Sequence, residues 1–238
     1  MASEEVLNRV ENTKYILELE YDKGAEDPFQ YDERFSFFRI IAFHKSYSIG
    51  YDHGCENQEE YLRSLLKTLY TEEYIDRTLK KLRQATEGLP HVYYEKIIYT
   101  FKRLSKKYAF FNLYFLDNKI FYLSLQPFES QENSGTLGWI VVNREKMKEA
   151  NIKNDKLKEF IEDCLKTYNN YLNGYVYALI LKEKIPVASD NPGHQGLYAE
   201  YLIDMWGGIY GFNELELLKS ELPEEAYPLL DKMIKDCC

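Results

Sequence analysis

From Lys14 to Tyr21 the chain alternates. Tyr15, Leu17, Leu19 and Tyr21 point one way, Lys14, Glu18 and Glu20 the other, and Ile16 is out of step. Period two over this length predicts a strand with one buried face. The residues before it, 1–13, are polar and acidic and read as a frayed lead-in with no secretory signal. After a loop at Asp22–Asp32 that carries Gly24 and Pro28, the apolar run Phe35–His44 predicts a second strand, able to pair with the first as a hairpin.

The period then changes. Asn57 and Glu60 stand at the two positions of a capping box, and Tyr61, Leu62, Leu65, Leu66 and Leu69 follow at helical spacing. Thr71 precedes a second helix with Ile75, Leu79 and Leu82 inward. Gly88-Leu89-Pro90 breaks it, and Pro90 opens a third with Tyr94, Ile97, Ile98, Phe101 and Leu104 on one face. Period two returns in Tyr108–Leu116 and Ile120–Leu125, joined at Asp117-Asn118-Lys119 as a hairpin, and in Leu137–Val142. A helix begins near Asn154 and stops at Gly174. Tyr175–Leu181 is almost wholly apolar, as in a strand covered on both faces. A loop at Ile185–Gly196, a last strand at Tyr198–Met205, a short helix capped by Asn213 and a terminal helix after Pro223 complete the chain. The order predicts an α+β fold: a single domain over 1–238, a largely antiparallel sheet with packed helices, and 57–107 as a helical insert or subdomain.

Charge narrows the classes of partner. The net charge of -9 and pI of about 5.1 lack the basic footprint of direct nucleic-acid binding. They permit a mimic of a nucleic-acid backbone or a binder of basic protein surfaces. No apolar run approaches the length of a membrane span, so a cytoplasmic protein is expected. The 22 Tyr and 13 Phe suit half-buried strands and interfaces. The four cysteines, Cys55, Cys164, Cys237 and Cys238, match neither a zinc motif nor a disulfide framework and read as free thiols.

Chemistry-capable residues concentrate in His44–Cys55. His44 and His53, with Asp52, Asp32 or Cys55, contain the side chains of a three-ligand metal site, and His44 or His53 with Asp22 or Asp32 those of an acid–base pair, with Cys55 as the candidate nucleophile. The competing reading is that both imidazoles bond backbone and fix the loop. Neither spacing nor a third group marks a catalytic set, so no cofactor and no metal ligand is assigned. Asp22, Asp27 and Asp32, with Glu26 and Glu33, gather negative charge around one loop, suited to a basic partner. Trp139, Trp206 and Tyr210 are candidate binding aromatics, and the glycines between Trp206 and Gly211 permit close backbone approach.

Several segments, in order, resemble acidic accessory proteins of phages, plasmids and conjugative elements of Gram-positive bacteria. They are Leu17–Asp22, the Pro28-containing loop to Asp32, His44, Tyr47, Ile49-Gly50 and His53, then Leu137–Val142, Tyr168–Tyr177 and Trp206–Gly211. Tyr31, Tyr51 and Lys45-Ser46 depart from that pattern. The resemblance implies an accessory protein that binds and modulates a host or element-encoded protein, inhibiting a defence nuclease such as a CRISPR effector. The alternatives are a metal-dependent hydrolase or nuclease using His44, His53 and a carboxylate, and a nucleotide-binding or sequestering protein.

Overall fold

A computed structural model describes residues 6–44, 46–47, 49–129, 132–188 and 196–237. It has the α+β composition expected, with two antiparallel sheets rather than one. The chain divides into two units, residues 1–31 with 166–238, and residues 32–165.

The first unit holds β1 (Val6–Glu11), β2 (Tyr15–Tyr21), the one-turn α1 (Pro28–Tyr31), β7 (Tyr177–Pro186), β8 (Tyr198–Ile209) and α8 (Tyr227–Cys237), with strand order β1-β2-β7-β8. The second holds β3 (Phe38–Ala42), α2 (Gln58–Lys67), α3 (Glu72–Ala85), α4 (Pro90–Thr100), α5 (Lys102–Lys107), β4 (Tyr108–Asn118), β5 (Ile120–Ser124), β6 (Ser134–Asn143) and α6 (Arg144–Glu149), with order β3-β6-β4-β5. The helix α7 (Leu157–Leu172) belongs to the second unit up to Leu165 and to the first beyond it. Every strand pair is antiparallel.

Two expectations are corrected. β2 and β3 are not a hairpin, because β2 lies between β1 and β7 while β3 pairs with β6. Residues 6–11 are not a frayed lead-in but a strand. Its pattern is unreadable in sequence because only Val10 is buried, and the pairing with β2 defines it. The stretch 57–107 is helical as expected. The cap at Asn57 forms, its side chain accepting from the Glu60 N–H, while Glu60 Oε2 accepts from Glu56 N–H at 2.7 Å. Leu62, Leu66, Ile75, Leu79, Ile97 and Leu104 then pack over Ile41, Trp139 and Val141 of the second sheet. Gly138, of the Gly-Trp-Ile segment, is required by strand pairing: a Cβ there would lie 2.0 Å from the Ile41 carbonyl oxygen.

In the first unit one sheet face packs Leu17, Leu19, Leu179 and Leu181 against Leu229, Leu230 and Met233 of α8. The other face departs from the alternation read in sequence. Glu18, placed there on a solvent face, is 3% exposed. Its carboxylate is held between Arg9 of β1 and Lys182 of β7. Arg9 Nη2 reaches on to Glu200 Oε1 of β8 at 2.7 Å, and Lys182 Nζ to Glu200 Oε2 at 3.3 Å. Glu11 joins through Lys184 at 3.1 Å, and the Tyr198 hydroxyl donates to it at 3.3 Å. Side chains of all four strands thus meet on one face, and the two edge strands are tied through it. A buried carboxylate is tolerable only when paired in this way.

These pairs carry a pH dependence. Hydrogen bonds from Arg9 and Lys182 lower the Glu200 carboxyl, against the effect of burial, and those from Lys184 and Arg9 lower Glu11. A carboxylate lowered in the folded state contributes stability that is complete above its unfolded value near 4.5 and is lost as pH falls through the folded value. Acid unfolding should therefore begin below that point, and Glu200→Gln should flatten the stability-versus-pH curve there, measured by urea titration between pH 6 and pH 3. Glu18→Ala, which leaves two cations facing an empty site, should cost about 2 kcal/mol at neutral pH. That is less than for a fully buried pair because Arg9 and Lys182 keep contact with water.

Candidate functional site

The residues singled out by sequence fall in different units. Asp22, Asp27, Trp206 and Tyr210 lie in the first, and Asp32, His44, Asp52, His53 and Trp139 in the second.

In the first unit the acidic loop is committed to local structure. Asp22 Oδ1 accepts from Gly24 N–H at 2.9 Å, and Oδ2 from Gly208 N–H at 2.8 Å. This clasp explains the glycine pair: a Cβ on Gly207 would stand 2.7 Å from Asp22 Oδ2, and Gly208 has a φ of 68°. The Tyr210 hydroxyl donates to the Glu26 carbonyl at 2.7 Å, its own carbonyl accepts from Asn170 Nδ2 at 2.8 Å, and Trp206 packs on the core under α8. Asp27 Oδ1 accepts from Phe29 N–H at 2.9 Å.

In the second unit Gly50 and Tyr51 run back along the outer edge of β3. Gly50 bridges to Ile41, and Tyr51 N–H donates to the Ile40 carbonyl at 2.9 Å. The Arg39 guanidinium lies 3.9 Å over the Tyr51 ring, and the Tyr47 hydroxyl donates to Asp117 Oδ2 at 2.6 Å. Both imidazoles bond backbone. His44 Nδ1 accepts from Ser46 N–H at 3.3 Å, and its ring packs on Tyr47 and Phe115. His53 Nδ1 accepts from Cys55 N–H at 3.1 Å, which places its proton on Nε2, facing the Ala42 carbonyl at 2.9 Å. Asp52 accepts from Gly54 N–H at 3.1 Å, and Asp32 from Arg34 N–H at 2.9 Å with its other oxygen on the Arg34 side chain. Among the described residues no three His, Cys, Asp or Glu side chains are grouped to hold a metal ion. Burial and the nearby Glu60 raise the Cys55 thiol, and burial pushes Cys164 up to about 12, so neither is an activated nucleophile. Trp139 is a core residue, 4% exposed.

The sheet edges differ sharply. The edge of β3 is covered by the histidine loop, β5 has five residues, and β1 has six and mixes Arg9, Asn8 and Glu11 among its apolar positions. β8 is an edge strand of twelve residues, exposed along most of its length. Tyr201 is 60% exposed and Met205 59%, with Leu202 and Ile203 exposed between them and Ile185 on the adjoining strand. Its pairing with β7 shifts register between Leu181 and Lys182, which leaves Ile203 between paired positions and presents apolar side chains on both faces. β8 contains Glu200 and Asp204 and no Lys or Arg. Edge strands are ordinarily blunted by lysine, proline or shortness, and this one has none of these. Sequence names Tyr198–Met205 as a strand. The sign of its exposure is the unbroken apolar run Tyr201-Leu-Ile203, which fits neither one-sided nor fully covered burial.

No known protein family, curated protein or solved structure matches the chain. Among the described residues no helix is long and apolar enough to cross a membrane.

The loop reading is testable. Gly50 has a φ of 81°, and a Cβ there would meet the Ile40 carbonyl oxygen at 2.6 Å. Gly50→Ala should cost more than the roughly 1 kcal/mol of an unhindered left-handed glycine, and His53→Ala about 1–2 kcal/mol through the lost backbone bonds, both in urea unfolding. Added zinc should leave the melting temperature of the unaltered protein where it was; a rise that disappears in His53→Ala would reinstate a metal site.

Proposed function

We propose that the protein is a non-enzymatic binding protein that takes a partner protein by strand addition along β8. The observation that supports this most is the combination on β8 of an edge to which no further strand is paired among the described residues, exposed apolar side chains on both faces, and no Lys or Arg of its own. Main-chain hydrogen bonds along an open edge supply affinity, and the alternating side chains of the added strand supply specificity. Asp204, with the net charge of -9, favours a partner segment bearing Lys or Arg.

A basic, extended segment is common at the surfaces of enzymes that handle nucleic acid. The partner proposed is therefore a host or element-encoded protein of that class, which this chain modulates. The mobile-element setting and the inhibition of a defence nuclease rest on the resemblance of the segments above, and they are compatible with strand addition. The network around Glu18 suits the role, because tying Glu200 back to Arg9 and Lys182 holds the edge strand in place before a partner arrives. The acidic loop expected to form the surface is a weaker candidate, since Asp22, Asp27 and Asp32 each cap neighbouring N–H groups.

The test is affinity capture from a host extract with the unaltered chain, Tyr201→Lys/Ile203→Lys, and Asp27→Asn, with light scattering to register self-association. The expected result is a partner retained by the unaltered chain and Asp27→Asn and reduced at least about tenfold by the double lysine variant, which places cations on the edge. Equal capture by all three, or capture lost only with Asp27→Asn, would refute strand addition at β8. Concentration-dependent dimers abolished by the lysines would assign the edge to a second copy instead.

A further inference from the structure

The second unit contains a cleft of about 900 Å³ between its helices and the β4–β6 side of its sheet. Its inner wall is aromatic. The Trp139 ring is met edge-on by Phe43 at 5.7 Å, Tyr94 at 5.8 Å and Phe110 at 5.9 Å. Tyr108 and Tyr114 of β4 extend that wall, and Tyr99, 84% exposed, stands at its rim. These rings line the cleft and also pack on the core of the unit, which mixes aliphatic and aromatic side chains. A volume of this size, with an aromatic wall and polar groups at defined places around it, is the form of a small-molecule site.

The polar groups are not evenly spread. Arg144, the first residue of α6, lines the cleft and is fixed at two points: Nε donates to the Ser105 carbonyl at 3.2 Å and Nη1 to Asn154 Oδ1 at 3.0 Å. Neither partner is charged, and among the described residues no carboxylate pairs with this guanidinium. An oriented, charge-unsatisfied guanidinium beside an aromatic wall is suited to an anion. Asn112 and His44 add neutral donors or acceptors, and Glu95 on α4 repels a negative group from its own side.

We propose that this cleft binds a planar aromatic anion, its ring against Tyr94 and the Trp139 edge and its phosphate or carboxylate on Arg144. A nucleotide and an aromatic carboxylate share this chemistry. The site is separate from β8, lies in the other unit and does not depend on strand addition.

The chain has two tryptophans, so Trp206→Phe leaves Trp139 as the sole indole reporter. In that background, titration with AMP, GMP and 4-hydroxyphenylacetate should give a saturable change in Trp139 fluorescence with at least one of them, the arms separating nucleotide from aromatic acid. Arg144→Gln should weaken the bound anion about tenfold or more while leaving the uncharged analogue, adenosine or tyramine's N-acetyl amide, unchanged. Thr136→Phe, at an exposed position lining the cleft, should block all binding with melting behaviour preserved. It keeps the test decisive if Arg144→Gln fails to fold. The absence of a saturable response to every probe up to about 1 mM, or anion binding unaffected by both substitutions, would overturn the proposal.

Discussion

The first unit is organised around one buried carboxylate. Glu18 sits in a central strand with almost no access to water, and an unpaired charge there would cost several kcal/mol. Arg9 and Lys182 resolve that cost, and because each also reaches Glu200, the solution couples all four strands. One consequence is that β8, whose N-terminal part lies beyond most of the core, is held by charge as well as by its ladder to β7. Another is that hydrogen bonds from Arg9, Lys182 and Lys184 hold the Glu200 and Glu11 carboxyls below the ordinary carboxylate value.

Edge management separates the two sheets. In the second, the histidine loop covers β3 through the Gly50 bridge, the Tyr51 backbone bond and the Arg39–Tyr51 stack. The residues that looked most able to do chemistry are engaged in that covering. In the first, nothing comparable is seen along β8 among the described residues. An edge of twelve residues with apolar side chains on both faces is a hazard unless it has a partner.

The two candidate surfaces ask different things of their ligands. Strand addition at β8 depends on backbone pairing and tolerates varied side chains, so it suits a protein segment. The aromatic cleft is concave and carries one oriented cation, so it suits a small flat anion. Burial raises the thiols of Cys55 and Cys164, and neither surface draws on them.

Sequence alone determined the local elements whose signals are local. The capped helices of 57–107, the hairpin at Asp117-Asn118-Lys119, the stop at Gly174 and the doubly covered β7 follow from period, caps and turn residues, as does the α+β class. It could not determine pairings between distant segments. Whether β2 joins β3 or β7 depends on register over more than 150 residues, and a weakly apolar strand such as β1 exists only through its partner. The fate of polar residues was equally hidden. Glu18 reads as solvent-facing until Arg9 and Lys182 are brought to it, Asp22 reads as free charge until Gly208 approaches, and Arg144 acquires an aromatic wall only when β4, β6 and α4 assemble. Burial and pairing are properties of residues far apart in the chain, and only the tertiary structure sets them side by side.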